Sequence, residues 1–145
     1  MTGETRLVLR NDFGELRRLA AFVKGEAARI GLASKTTFAV ELCLEEAVSN
    51  IVRHGADRGK ATRIIATLGR EPDEVTLCVE DDGPPFDPTS VDRPLPAANL
   101  DEAAIGGFGI HLMREFSNRM RYERSGEENR LIMTFRVAQP ATAVA

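Results

Sequence analysis

Residues 41–55, ELCLEEAVSNIVRHG, decide the fold. Their spacing predicts a helix on which apolar Leu42, Leu44, Ala47, Val48, Ile51 and Val52 cover much of the surface. A helix apolar over so wide an arc is one packed against both a sheet and other helices. Glu46 and Asn50, four residues apart, project from one face of it. A carboxylate is costly to bury unless it has a partner or a task. An amide oxygen beside it can ligate a hard cation such as Mg²⁺. Glu46 is then a candidate general base for a nucleophile that attacks a Mg²⁺-bound phosphate. The same spacing also fits a solvated stripe on an amphipathic helix, so the neighbouring sequence has to decide.

Outward from this helix, the chain alternates short strands and helices. Thr5–Arg10 alternates polar and apolar residues and reads as a first strand. Asp12, with Glu15 three residues on, signals a helix start, and Gly31 ends that helix. Ser34 caps the central helix, and His54-Gly55 closes it. Strands are expected at 62–68 and 74–80, joined at Glu71-Pro72-Asp73, and a short helix at 110–116. A last hairpin pairs Met120–Arg124 with Arg130–Val137 across a turn at 125–129. This order, β-α-α-β-β-loop-α-β-β, predicts an α+β fold: a two-layer α/β sandwich, its helices on one face of a largely antiparallel mixed sheet. Residues 1–138 are expected to form one domain and 139–145 a frayed tail.

Composition narrows the function classes. A formal net charge of −3 argues against a partner held by phosphate neutralisation, so no nucleic acid is expected. No long apolar run or signal-peptide layout is present, so no membrane span is expected and the cytoplasm is the default location. Cys43 and Cys78 sit in apolar segments and read as small core residues. With only His54 and His111 beside them, a structural zinc site is not expected.

Between residues 81 and 109 the periodicity stops, and five of the seven prolines fall there. A long aperiodic segment inside a compact domain reads as a lid or binding loop, here about 84–106. Two motifs bracket it. VEDDGPPFDP (79–88) comes off a strand, with Asp81 at the strand end and Gly83 in the turn. A carboxylate held there can accept from an exocyclic amine such as that of adenine. It can equally be an ordinary polar turn. GGFG (106–109) opens the short helix, where free backbone N–H groups and the helix dipole favour an anion such as phosphate.

Together and in this order, the Glu/Asn helix, the strand ending in DxG and the Gly-rich helix start resemble the GHKL ATPase superfamily. EEAVSNIVRHG, DDGPPFDP and GGFGIHL look most like the anti-sigma-factor serine/threonine kinases of bacterial partner-switching systems. The resemblance implies the Bergerat-type ATP-binding fold, with ATP and Mg²⁺ as cofactors. By motif, Glu46 matches the general base and Asn50 the Mg²⁺ ligand. Asp81 matches the adenine-binding carboxylate, Gly83 the turn glycine, and Gly107 and Gly109 the lid glycines near the phosphates. Two departures stand out. Pro85 occupies the second glycine position of the family's DxGxG, and Ile105 stands where some such kinases carry a lid arginine. Arg93 and Arg114 are the substitutes within reach in sequence.

What the resemblance implies is an ATP-dependent serine/threonine protein kinase that acts as an anti-sigma factor. Its substrate would be a small anti-anti-sigma (STAS-type) protein, its sequestered partner a sigma factor or similar regulator. A homodimer is implied by the family and by no feature of the sequence. Two alternatives remain: a non-catalytic ATP-binding regulatory module, and a detached histidine-kinase-like ATPase domain. A serine hydroxyl benefits from a base such as Glu46, whereas a histidine nucleophile does not need one. Among other candidates, His54 fits a phosphate contact or a helix C-terminal residue, and His111 a surface role. Glu41 and Glu45 are alternative bases off the Glu46 face, Phe86 and Phe108 shields or core, and Thr134 a support for adenine through a water.

Overall fold

The computed structural model describes residues 2–56, 63–90 and 107–137. Strand β1 (Thr2–Arg10) leads into a 3₁₀ turn at Phe13–Glu15 and helix α1 (Leu16–Ile30). Asp12 accepts from the backbone N–H of Gly14 at 2.8 Å and so starts the turn. Glu15 does not reach back to complete a capping pair. Its carboxylate instead accepts from the Arg10 backbone N–H at 3.2 Å and from Arg18 at 2.7 Å, tying the strand to the helix. α1 buries Leu19, Val23 and Ala27, spaced by four, and stops at Gly31. There the backbone turns left-handed, with φ 72°, a conformation that costs other residues ~1 kcal/mol or more.

Helix α2 (Ser34–Ala56) is the long central helix; Ser34 is its first helical residue rather than its cap. Val40, Cys43, Leu44, Ala47, Val48 and Val52 form a stripe in which each is at most 3% exposed. Burying a Leu or Val of this stripe is worth about 1.5–3 kcal/mol, which explains why the helix persists beneath a sheet. The stripe repeats at three and four residues, so the next face of the helix carries Glu46, Asn50 and Arg53.

Strands β2 (Arg63–Glu71) and β3 (Glu74–Asp81) form a hairpin across Pro72-Asp73. Helix α3 (Gly107–Phe116) begins three residues before the expected start and is followed by β4 (Arg119–Ser125) and β5 (Glu128–Arg136). The sheet order is β1-β2-β3-β5-β4, and each pairing is antiparallel. The expected α+β layout thus holds, with the sheet antiparallel in all its described pairings. The last hairpin is tighter than the sequence suggested. Gly126, with φ 61°, turns the chain within two residues, so Asn129 lies inside β5 and not in the turn.

Register sets up the site. Leu7, Ala66, Val79, Leu131 and Tyr122 stand side by side across the five strands. The next row runs Leu9, Ile64, Asp81, Asn129 and Arg124, so it is apolar over two strands and polar over three. Leu9, Leu44, Val48, Leu77, Met113 and Met133 are buried together in the core, with α2 and α3 against the sheet. The opposite face of the sheet carries the row Arg6, Thr67, Cys78, Ile132, Arg121. Cys78 is therefore buried as expected but lies outside the main core cluster; Arg130 donates its Nε–H to the Sγ at 3.3 Å. Cys43 is a core residue as expected, and burial, helped by Glu46, pushes its thiol up to about 12. Among the described residues no helix is long and apolar enough to cross a membrane, and no cluster of three or more His, Cys, Asp or Glu side chains could hold a metal.

Candidate active site

A cleft opens where α2 leaves the end of β3. It encloses about 530 Å³ including its open mouth. Apolar walls come from Ala47 and Ile51 of α2, Val79 and Leu131 of the sheet, Phe86, and Met113 of α3. Asn50, Asp81, Tyr122 and Asn129 are the polar groups that line it. A largely apolar slot with a few convergent polar atoms is the usual form of a small-molecule site.

Asp81 is 8% exposed at the end of β3. Its Oδ1 accepts from the Gly83 N–H at 2.8 Å and from the Asn129 side-chain amide at 3.0 Å. Among the described residues Oδ2 has no hydrogen-bond partner. The turn at Gly83 is thus held by the Asp81 side chain two residues earlier, and not by a left-handed glycine: positive φ occurs only at Gly3, Gly31 and Gly126 among the described residues. Burial raises the Asp81 carboxyl above the ordinary range; the bonds from Asn129 and Gly83 and the charge of Arg124 oppose that rise, and Asp82 adds to it.

Asn129 is the hub of the polar corner. Its Nδ2 donates to Asp81 Oδ1 and to the carbonyls of Pro84 at 2.9 Å and Gly83 at 3.3 Å. Its Oδ1 accepts from the Tyr122 hydroxyl and from Arg124 at 3.1 Å. Arg124 also donates to the Gly83 carbonyl at 2.8 Å. The sequence alone does not single out Tyr122, Arg124 or Asn129: it places the first two in a strand and Asn129 in the turn at 125–129. The signal that finds them is register: once β5 starts at Glu128, Asn129 falls opposite Asp81.

On α2, Asn50 is 4% exposed, and its buried Nδ2 has no hydrogen-bond partner among the described residues. Its Oδ1 receives Arg53 at 3.4 Å, so the amide oxygen already faces a cation. Glu46, half-buried, lies against the first turn of α3. A β-carbon placed on Gly109 would come within 2.2 Å of Glu46 Oε2, so this approach needs glycine. Burial pushes the Glu46 carboxyl above its ordinary range; Glu45 adds to the rise and Arg53 opposes it.

The structure therefore brings Asn50, Asp81 and Gly83 to one cleft and sets Glu46 against Gly109. Gly107 is the first residue of α3. Glu45 is exposed on another face of α2. Arg114 is no free lid cation: it donates to the carbonyl of Thr89 at 2.8 Å and bonds that of Pro88 at 3.5 Å, bracing the 3₁₀ turn Pro88–Ser90. Thr134 does not line the cleft. It pairs with Thr76 and Arg119, and its hydroxyl accepts from Arg119 at 3.4 Å. His111 sits 3.7 Å from Glu115 on α3. Residues 91–106 of the expected lid, with Arg93 and Ile105, lie outside the described residues, as do the side chains of His54 and Phe108 and the tail 138–145.

A family model described as the histidine kinase-like ATPase domain matches residues 9–135. The chain belongs to this family. The serine/threonine-protein kinase BtrW of Bordetella bronchiseptica is 37% identical over 108 residues, which cover 74% of this chain and 76% of that protein. The serine-protein kinase RsbW of Bacillus subtilis is 25% identical over 105 residues, covering 70% of this chain and 66% of that protein. Among solved structures, that of the RsbU and RsbW domains of Rv1364c from Mycobacterium tuberculosis matches 99% of this chain with a TM-score of 0.67 at 18% identity. This chain spans only 35% of that longer one. The catalytic domain of the histidine kinase ThkA matches 90% of this chain and 96% of its own, with a TM-score of 0.55 at 13% identity. These structures share the fold. The resemblance read from the three motifs, to the anti-sigma-factor kinase branch of the GHKL ATPases, is borne out by the family and its named relatives.

Proposed function

We propose that this chain is an ATP-dependent serine/threonine protein kinase that acts as an anti-sigma factor in the cytoplasm. It phosphorylates a small anti-anti-sigma partner of STAS type and sequesters a sigma factor or similar regulator. One observation carries the reading: a buried carboxylate at a strand end shares an apolar cleft with a buried amide whose Nδ2 has no partner among the described residues, while a half-buried carboxylate meets the glycine start of the next helix. Its kinase-named relatives support the same reading.

In this proposal the adenine lies in the apolar slot and its amine donates to Asp81 Oδ2. The triphosphate runs toward the N–H groups at Gly107 and Gly109, where the start of α3 favours an anion. Asn50 Oδ1 would hold Mg²⁺; a cation held largely by phosphates and water needs few protein ligands. Mg²⁺ supplies neutralisation of phosphate charge. Glu46 takes the proton of the serine hydroxyl as that oxygen bonds the γ-phosphorus and the bond to the bridging oxygen of ADP breaks. Its raised carboxyl suits it to proton exchange nearer neutral pH.

The test is incubation of purified protein with γ-labelled ATP, Mg²⁺ and STAS-type partners, followed by mapping of the label. Phosphoserine or phosphothreonine on the partner supports the proposal. Acid-labile phosphohistidine would instead mark a histidine-kinase-like ATPase, and tight ATP binding without transfer a non-catalytic module.

A further inference from the structure

We infer that Asn129 is a positioning residue for nucleotide selection: its amide holds Asp81 so that Oδ2 alone faces the ligand as an acceptor. This rests on the reading of the cleft as an ATP site. The orientation of the Asn129 amide is forced by its partners. Nδ2 faces three acceptors, Asp81 Oδ1 and the carbonyls of Gly83 and Pro84, and Oδ1 faces two donors, Tyr122 and Arg124. Turning the amide over would set oxygen against oxygen three times. At 5% exposure no water competes freely for these positions.

The consequence falls on Asp81. Its Oδ1 is saturated by Gly83 and Asn129, so that oxygen is unavailable to a base. Oδ2 remains as the acceptor, and its direction is set because two donors hold Oδ1 in place. A buried carboxyl that took up a proton could donate as well as accept, and would then tolerate the carbonyl of guanine as readily as the amine of adenine. The Asn129 donor favours the ionised form and so keeps the site selective for an amine. The charged groups acting on Asp81 are Asp82, next to it in sequence, and Arg124 from β4. Neither replaces a donor at 3.0 Å. The same amide fastens the Gly83 and Pro84 carbonyls, so the loop beside the base and the carboxylate that reads it are aligned by one side chain.

The decisive variant is Asn129→Asp, which keeps an oxygen for Tyr122 and Arg124 but replaces the donor with a second carboxylate beside Asp81. Two carboxylates at this distance share a proton, and one is raised strongly. Calorimetric titration of the full chain with ATP, GTP and inorganic tripolyphosphate, across pH, reads the effect. ATP should weaken about ten- to a hundredfold at neutral pH, the size of a charge-assisted bond. The preference for ATP over GTP should shrink, and the pH below which ATP binding is lost should move up. Tripolyphosphate, which lacks a base, should bind as before. Equal losses of ATP and tripolyphosphate, or unchanged ATP-to-GTP preference, would overturn the assignment. If Asp81→Asn weakens ATP while Asn129→Asp does not, this inference falls and the ATP reading stands; if wild type binds no adenine nucleotide, both fall. Should Asn129→Asp not fold, the wild-type protein serves. The Asn129 side-chain amide signals in ¹⁵N NMR should shift with pH at the same midpoint as the loss of ATP binding, and signals that ignore that transition would overturn the inference.

Discussion

Three side chains on one face of α2, Glu46, Asn50 and Arg53, divide the proposed chemistry among themselves, and the electrostatics of each is set by its neighbours. Burial pushes Glu46 up and Arg53 holds it down, so removing the guanidinium raises it further. With Arg53→Met, the pH at which phosphoryl transfer switches on should therefore move upward, because the base must lose its proton before it can act. A single-turnover pH–rate profile checks this, and an unmoved acid limb would mean that Glu46 is not the base. Asp81 makes a second residue-level test. Its folded pKa is raised, so its contribution to stability is complete below the unfolded value, about 4, and is lost as pH rises through the folded one. At neutral pH the ionised side chain thus costs stability. Asp81→Asn, which keeps an oxygen for Gly83 and Asn129, should raise Tm at pH 7, with the gain vanishing in acid. The same variant should weaken ATP by about one to two decades, the worth of a charge-assisted bond. A lower Tm at pH 7 together with unchanged ATP affinity would show that Asp81 is only a structural turn residue.

At the scale of elements, the contact between α2 and α3 matters most. Gly109→Ala puts a methyl where Glu46 Oε2 lies, 2.2 Å from the new carbon. The side chain that must yield is a flexible carboxylate, so the fold should tolerate the change, with Tm within a few degrees. Transfer should fall toward the ~10²-fold or greater loss of a misplaced base, while ATP affinity changes far less. Thermal melts beside single-turnover transfer measure both. The elements differ in how well the sequence announces them. α2 is legible because its apolar residues repeat at three and four, and the β2–β3 hairpin because Pro72-Asp73 interrupts two alternating runs. Glu46 and Asn50 could be singled out because each is a polar residue on a largely apolar helix, and Asp81 because it ends a strand just before a glycine turn. Asn129 could not, since polar residues crowd 125–130 and only pairing with β3 tells a turn from a strand. Arg114 looked like a substitute lid cation, but only three-dimensional proximity reveals that carbonyls of 88 and 89 claim it.

For the molecule as a whole, one row of an antiparallel sheet connects stability to function. Leu9 and Ile64 extend the core beneath the helices, and the same row continues into Asp81, Asn129 and Arg124, where burial is given to polar groups. Such sites commonly lower stability in exchange for activity. In the proposed kinase, the sheet end selects the base and the α2–α3 contact carries out proton transfer, so binding and chemistry can be separated by mutation. The measurement that tests this most directly is single-turnover phosphoryl transfer from ATP to a serine-containing STAS-type partner by wild type and Glu46→Gln, with ATP affinity determined for both. Gln keeps the size of the side chain but cannot accept the proton, so ATP should bind alike while transfer drops by roughly 10²–10⁴-fold. Transfer by Glu46→Gln near the wild-type rate would contradict the account.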